Sequence, residues 1–228
     1  MQDLTSGSVN RHLLKTASYM LVTMVFQTLY FLIDLYWVGR LGTDAVAAVG
    51  IAGNLTFINL ALTQMLGVGT TTVVSHAAGR KDHPEAQLMF NQSQVLAMVT
   101  GVLFLIVGMA VRVRYASALS ADAGTAAMAA DYLLWFIPAM ALQFALVAMG
   151  SALRGVGNFK PGMIVQTATI IINIVLAPLL MFGWLGLPRM GVGGAAMASL
   201  VAVLVGTAWI ATFFFGREGY LRFLARDL

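Results

Sequence analysis

Six stretches of this chain run for eighteen residues or more without an acidic, lysine or arginine side chain: Thr16 to Ile33, Ala45 to Ser75, Ala86 to Val111, Tyr132 to Leu153, Pro161 to Pro188 and Met190 to Gly216. A helix that crosses the hydrocarbon of a bilayer needs about 20 mostly apolar residues, so each stretch is a candidate span. Composition agrees, because 60% of the 228 residues are hydrophobic and only 10% charged, whereas a soluble domain carries about 25% charged residues. Gly, Ser or Thr recurs in every stretch, which suits helices packed closely on one another. No alternating ten-residue pattern of an outer-membrane barrel appears. The expected fold is an all-α integral membrane protein, a single bundle of six transmembrane helices near residues 13–38, 46–75, 87–111, 127–152, 161–184 and 192–215.

Basic residues orient such a bundle, because loops retained in the cytoplasm collect Lys and Arg. Arg11, Lys15, Arg80, Lys81, Arg154, Lys160, Arg217, Arg222 and Arg226 fall on one side, nine of thirteen, against Arg40, Arg112, Arg114 and Arg189 on the other. Both termini are therefore expected in the cytoplasm, and the protein in the inner (plasma) membrane. The net charge of +4 then reflects topology, and no nucleic acid is expected as a partner, since that would need a basic patch with base-stacking aromatics. A removable signal peptide is not expected either, because the first apolar region far exceeds the roughly 7 to 15 residues such peptides use.

Catalytic signatures are missing. The sequence holds no H-E-x-x-H, G-x-S-x-G or G-x-x-x-x-G-K-[ST] motif, and His12, His76 and His83 lack metal-ligand spacing. Without Cys there is no disulfide and no thiolate site. No enzyme activity and no cofactor are expected.

What remains is polarity inside the spans. Positions three and four apart share a helix face. Gln27, Tyr30, Asp34 and Trp37 follow steps of 3, 4 and 3 on the first helix, Thr56, Asn59, Thr63, Gly67 and Thr70 a similar rhythm on the second, and Gln166, Thr169 and Asn173 on the fifth. Lipid satisfies none of these groups, so the stripes face the bundle interior or a wet cavity. Two readings stand for them: glue between helices, or the lining of a pathway. Asp34 is either an interfacial carboxylate or a functional one. Pro178 cannot donate to the carbonyl of Ile174, which frees an oxygen beside Asn173; carbonyl, amide and carboxylate are the hard oxygen ligands a small cation or hydrated proton uses. Met20, Met24, Met140 and Met163 lie inside spans and serve either as core filler or as soft walls for varied lipophilic cargo.

The stretch "LTSGSVNRHLLKTASYMLVTMVFQTLYFLIDLYWVGRLGTDAVAAVG", with an acidic residue shortly before V-G-x-L-G, resembles the opening of the multidrug and toxic compound extrusion (MATE) transporters. "GVGTTTVVSHAAGRKD", "RGVGNFKPGMIVQTATIIINIVLAPLLMFG" and "GVGGAAMAS" are similar to later parts of the same family, in order and at the same spacing. The resemblance implies that Asp34 is the cation-coupling carboxylate of an N-terminal lobe, with Asn173 beside it and Ser199 supplying a hydroxyl from the sixth helix. It implies no resident metal, with H+ or Na+ as coupling ion and a possible Na+ site at Asp34 and Asn173. Gln27, Tyr30, Trp37, Asn59, Thr63, Gln166 and Thr169 become substrate-pathway residues.

Two departures bear on mechanism. Ala177 stands where many members have an aspartate, which tilts coupling toward protons, and Tyr19 stands where many have a proline. Members resemble two six-helix lobes in one chain, so this sequence corresponds to one lobe, expected to work with a second. The implied activity is export of small lipophilic cations from the bilayer by antiport. A flippase for lipid-linked or other polyisoprenoid cargo, and a non-transporting half-protein, are the alternatives.

Overall fold

A computed structural model of the chain describes residues 9–215 and 220–223. Arg217 and Arg226, used above for orientation, lie outside the described residues, as do the side chains of Arg11, Lys15, Tyr19 and Met20. The described elements are six α-helices: α1 Val9–Gly39, α2 Thr43–Gly79, α3 His83–Leu119, α4 Ala123–Gly155, α5 Phe159–Phe182 and α6 Val192–Phe215, with a short 3-10 turn at Trp184–Gly186. Helices α2 to α6 are each long and apolar enough to cross a bilayer, and α1 contributes a shorter apolar stretch, Met24–Gly39.

Local chemistry sets the helix ends. Asp82 accepts from the Glu85 amide at 3.0 Å and opens α3 with Pro84 in its first turn. Asp122 does the same for α4, accepting from the Thr125 amide at 2.9 Å and the Thr125 hydroxyl at 2.7 Å. These are side-chain caps on otherwise orphaned backbone donors. Gly183, in the left-handed region at φ 71°, stops α5. The loop behind it folds back, so that the Met190 and Gly191 amides donate to the Leu180 and Met181 carbonyls at 3.0 and 3.2 Å.

Two boundaries differ from the sequence-based expectation for one reason. Helix α3 continues past Val111 through Arg112 and Arg114 to Leu119, and α2 through His76 to Gly79. Charge limits the depth of the hydrocarbon and not the length of a helix, so a helix of 37 residues, about 55 Å long at 1.5 Å per residue, projects beyond a hydrocarbon layer of about 30 Å. The expected fifth helix ended at residue 184; the left-handed Gly183 ends it at Phe182.

Helix α4 is the hub, packed against α2, α3, α5 and α6, while α1 lies at the edge against α5 and α2. Small residues permit the approach. A Cβ on Gly101 of α3 would stand 2.7 Å from the Ala141 carbonyl oxygen of α4. Phe31, Phe57, Met98, Ile106 and Val175 are exposed, as expected where lipid rather than water is the solvent. After α6 the chain returns to α3: the Gln87 side-chain amide donates to the Arg222 carbonyl while its oxygen accepts from the Arg222 amide at 2.9 Å, and Asn91 donates to the same carbonyl at 3.3 Å. Phe223 packs against Phe90 and Phe214 at ring separations of 5.2 and 5.6 Å.

Candidate functional site

Four helices converge on one polar cluster inside this apolar body. From α5, Asn173 Nδ2 donates to Ser199 Oγ of α6 at 2.8 Å, and Ser199 Oγ donates in turn to the Ala195 carbonyl at 3.2 Å. The Tyr30 side chain of α1 approaches the same serine. Asp34, one turn further along α1, lies close enough for its charge to act on Tyr30 and on Tyr132 of α4. Tyr132, Asn173 and Ser199 are buried, and Asp34 is half-buried.

The acceptors of this cluster outnumber its donors. Asn173 Oδ1 is buried with no hydrogen-bond partner among the described residues, and no hydrogen bond or ion pair ties the Asp34 carboxylate to another described residue. A buried acceptor left without a donor costs about 1–3 kcal/mol, and a carboxylate in an apolar setting costs more unless it finds a positive charge. Pro178 sits inside continuous α5 and withholds a fourth-residue donor from Ile174, so another oxygen is open next to Asn173. The position where an additional acid would stand is taken by Ala177, buried in the apolar cluster that also holds Tyr132. The site therefore presents oxygens from one carboxylate, one amide and hydroxyls, with no ion pair to a basic side chain among the described residues.

The other expected pathway residues are distributed. Gln27 and Gln166 meet in a separate open cleft of about 460 Å³, with Met24, Met163, Gln64 and Arg154 on its walls. Met140, by contrast, is core filler. Asn59 donates to Gln143 Oε1 of α4 at 3.1 Å, and the Thr63 hydroxyl bonds the Asn59 carbonyl at 2.8 Å; the α2 stripe is turned toward α4 and does not join the cluster. Thr169 bonds the Gln166 carbonyl at 2.7 Å and presses its methyl against Gly206 of α6. Trp37 joins Phe182 and Trp184 in an aromatic group at the α1–α5 end, with ring separations of 5.8 and 6.0 Å and the Arg40 guanidinium 5.8 Å over its ring.

Sequence reasoning missed Tyr132, Gln143, Gln64 and Arg154. Tyr132 begins an uncharged stretch, and nothing in its spacing alone marks it out. The available signal was geometric: three polar stripes need partners, and Tyr132 and Gln143 are among the few polar side chains the fourth span offers.

A bundle of apolar helices closed around a half-buried, unpaired carboxylate defines a multi-pass membrane protein of the transporter class. The MatE family model matches residues 20–179, and the chain belongs to that family, which includes proteins named for multidrug resistance and export. Relatives include the probable multidrug resistance protein YoeA of Bacillus subtilis, 27% identical over 81% of this chain and 40% of its own length. The FAD transporter of Shewanella oneidensis is 26% identical over 89% of this chain and 45% of its own. Among solved structures, the outward-facing conformation of a multidrug resistance MATE family transporter superposes with a TM-score of 0.89 at 27% identity, covering 97% of this chain and 49% of that one. The chain thus spans about half the length of the proteins it matches.

Proposed function

We propose that the chain is one lobe of a secondary antiporter that exports lipophilic or cationic compounds in exchange for H+ or Na+, with Asp34 as the coupling carboxylate and both termini in the cytoplasm. The observation that carries this reading is the acceptor-rich cluster of Asp34, Tyr30, Asn173 and Ser199. A proton or small cation supplies the missing positive charge, and it can bias the lobe between two states only by binding one of them better. Neutralised Asp34 lets α1 settle against α5 and α6, and ionised Asp34 favours the arrangement in which water reaches it. Ala177 leaves fewer oxygens than a metal ion takes, so the proton is the favoured coupling ion. The test is Asp34→Asn, which keeps size and removes titration. Efflux should fall to background while expression persists; normal efflux in a well-expressed variant overturns the reading.

A second reading concerns cargo. The cleft of Gln27, Gln64 and Gln166 carries one guanidinium, Arg154, whose hydrogen bond goes to the Ser151 hydroxyl at 2.7 Å and which has no carboxylate partner among the described residues. Together with a relative named FAD transporter, this favours a bulky anionic cargo. Vesicle transport of FAD against that of a lipophilic cation distinguishes the two.

A further inference from the structure

A groove of about 590 Å³ lies between α3 and α6, floored by α4. Small residues hollow it: Ala97 and Gly101 on α3, Ala141 and Ala145 on α4, Ala211 on α6. Pro138 of α4 lines its floor and Phe223 one end. The walls are apolar with one exception. Gln94 lines the groove, is 6% exposed, and its Nε2 has no hydrogen-bond partner among the described residues.

We propose that this groove holds one acyl chain of an anionic glycerophospholipid, with Gln94 donating to the ester carbonyl. Depth supports the assignment. With α3 centred in the bilayer, its 37 residues place the hydrocarbon edge near residue 91, on the basis of about 30 Å of hydrocarbon and 1.5 Å per residue. Gln94 lies about one turn inside that edge, and its side chain, tilted toward the helix N-terminus, reaches back toward the ester linkages that border the hydrocarbon and not toward the chain ends. Apolar walls below it suit methylenes, and rotation about the terminal torsion of the glutamine turns its amide to the carbonyl. Arg222, exposed beside the groove-lining Phe223, puts positive charge at the headgroup level, where anionic headgroups are attracted. The site is independent of the polar cluster and of the exported cargo.

The experiment uses the protein purified from membranes in the form the cell makes, stripped of lipid by detergent exchange. Native mass spectrometry and thermal unfolding are followed during titration with diacyl phosphatidylglycerol, its diether analogue, which lacks the carbonyl, and diacyl phosphatidylcholine. The diacyl anionic lipid should bind one molecule about five- to tenfold more tightly than the diether, the factor one hydrogen bond of about 1 to 1.4 kcal/mol provides. Gln94→Leu should abolish that preference, and Ala211→Phe should remove the bound molecule. Equal affinity for diacyl and diether lipid in the unaltered protein overturns the proposal, whether or not the variants fold. So does an Ala211→Phe protein that keeps its lipid, or phosphatidylcholine binding as tightly as phosphatidylglycerol.

Discussion

Asn173 separates structural from functional roles at the scale of one residue. Its amide donates one interhelical hydrogen bond while its carbonyl oxygen has no partner among the described residues. Such a bond is worth about 0.6 kcal/mol on average in a membrane, which alone would change an equilibrium only about threefold. Asn173→Ala should therefore lower the melting temperature by only about 1–2 °C, and efflux should fall well beyond threefold if the oxygen holds the coupling ion; a loss of efflux limited to threefold would make the residue helix glue. Asp122 illustrates the opposite case, a carboxylate with a purely local task. The Thr125 backbone amide and hydroxyl hold its carboxyl below the usual range. A depressed folded-state value contributes stability above about pH 4 that is lost as pH falls through the folded value. Asp122→Ala should thus lower the melting temperature at pH 7, and the gap to the parent should close in acid; a constant gap down to pH 3 would contradict the cap.

Elements in this protein are held by contact rather than by propensity, and α6 is the clearest case. A Cβ on Gly194 would stand 2.7–2.8 Å from the Leu180 and Met181 backbone, and backbone cannot rotate aside. Overpacking of this kind costs about 1–3 kcal/mol, so Gly194→Val should lower the melting temperature by several degrees. Gly69→Ala on α2, where a Cβ meets nothing within 4 Å, should be neutral or stabilising because it restricts the unfolded chain; destabilisation by both would show that helix propensity plays no part. The existence of the six helices was legible because uncharged runs near 20 residues have few other uses. Their ends were less legible, as Arg112 and Arg114 inside α3 show: sequence reveals where lipid stops, and a helix can continue beyond it. The stripes were legible as polar faces, but not their destinations. Asn59 and Thr63 on α2 have the same spacing as residues on α1 and α5, and only packing shows that Asn59 pairs with Gln143 of α4 while Asn173 pairs with Ser199 of α6.

For the whole molecule, the proposed orientation and coupling are open to direct measurement. A reporter fused after Leu228 should behave as cytoplasmic and one inserted near Ala118 as external; the reverse at both positions would invert the lobe. In vesicles containing the complete transporter, an imposed pH gradient should drive efflux with sodium absent. Strict dependence on sodium would mean that open carbonyls near Ile174, with Ser199, complete a metal shell despite Ala177.

The clasp between α3 and residues 220–223 bears on how force enters and leaves the lobe. Gln87 pairs with both backbone groups of Arg222, and Phe223 is wedged between Phe90 and Phe214. Residues 220–223 are therefore tied to two helices at once, to the start of α3 through Gln87 and Phe90 and to the end of α6 through Phe214, so a displacement of either helix loads the other as two arms load a shared hinge pin.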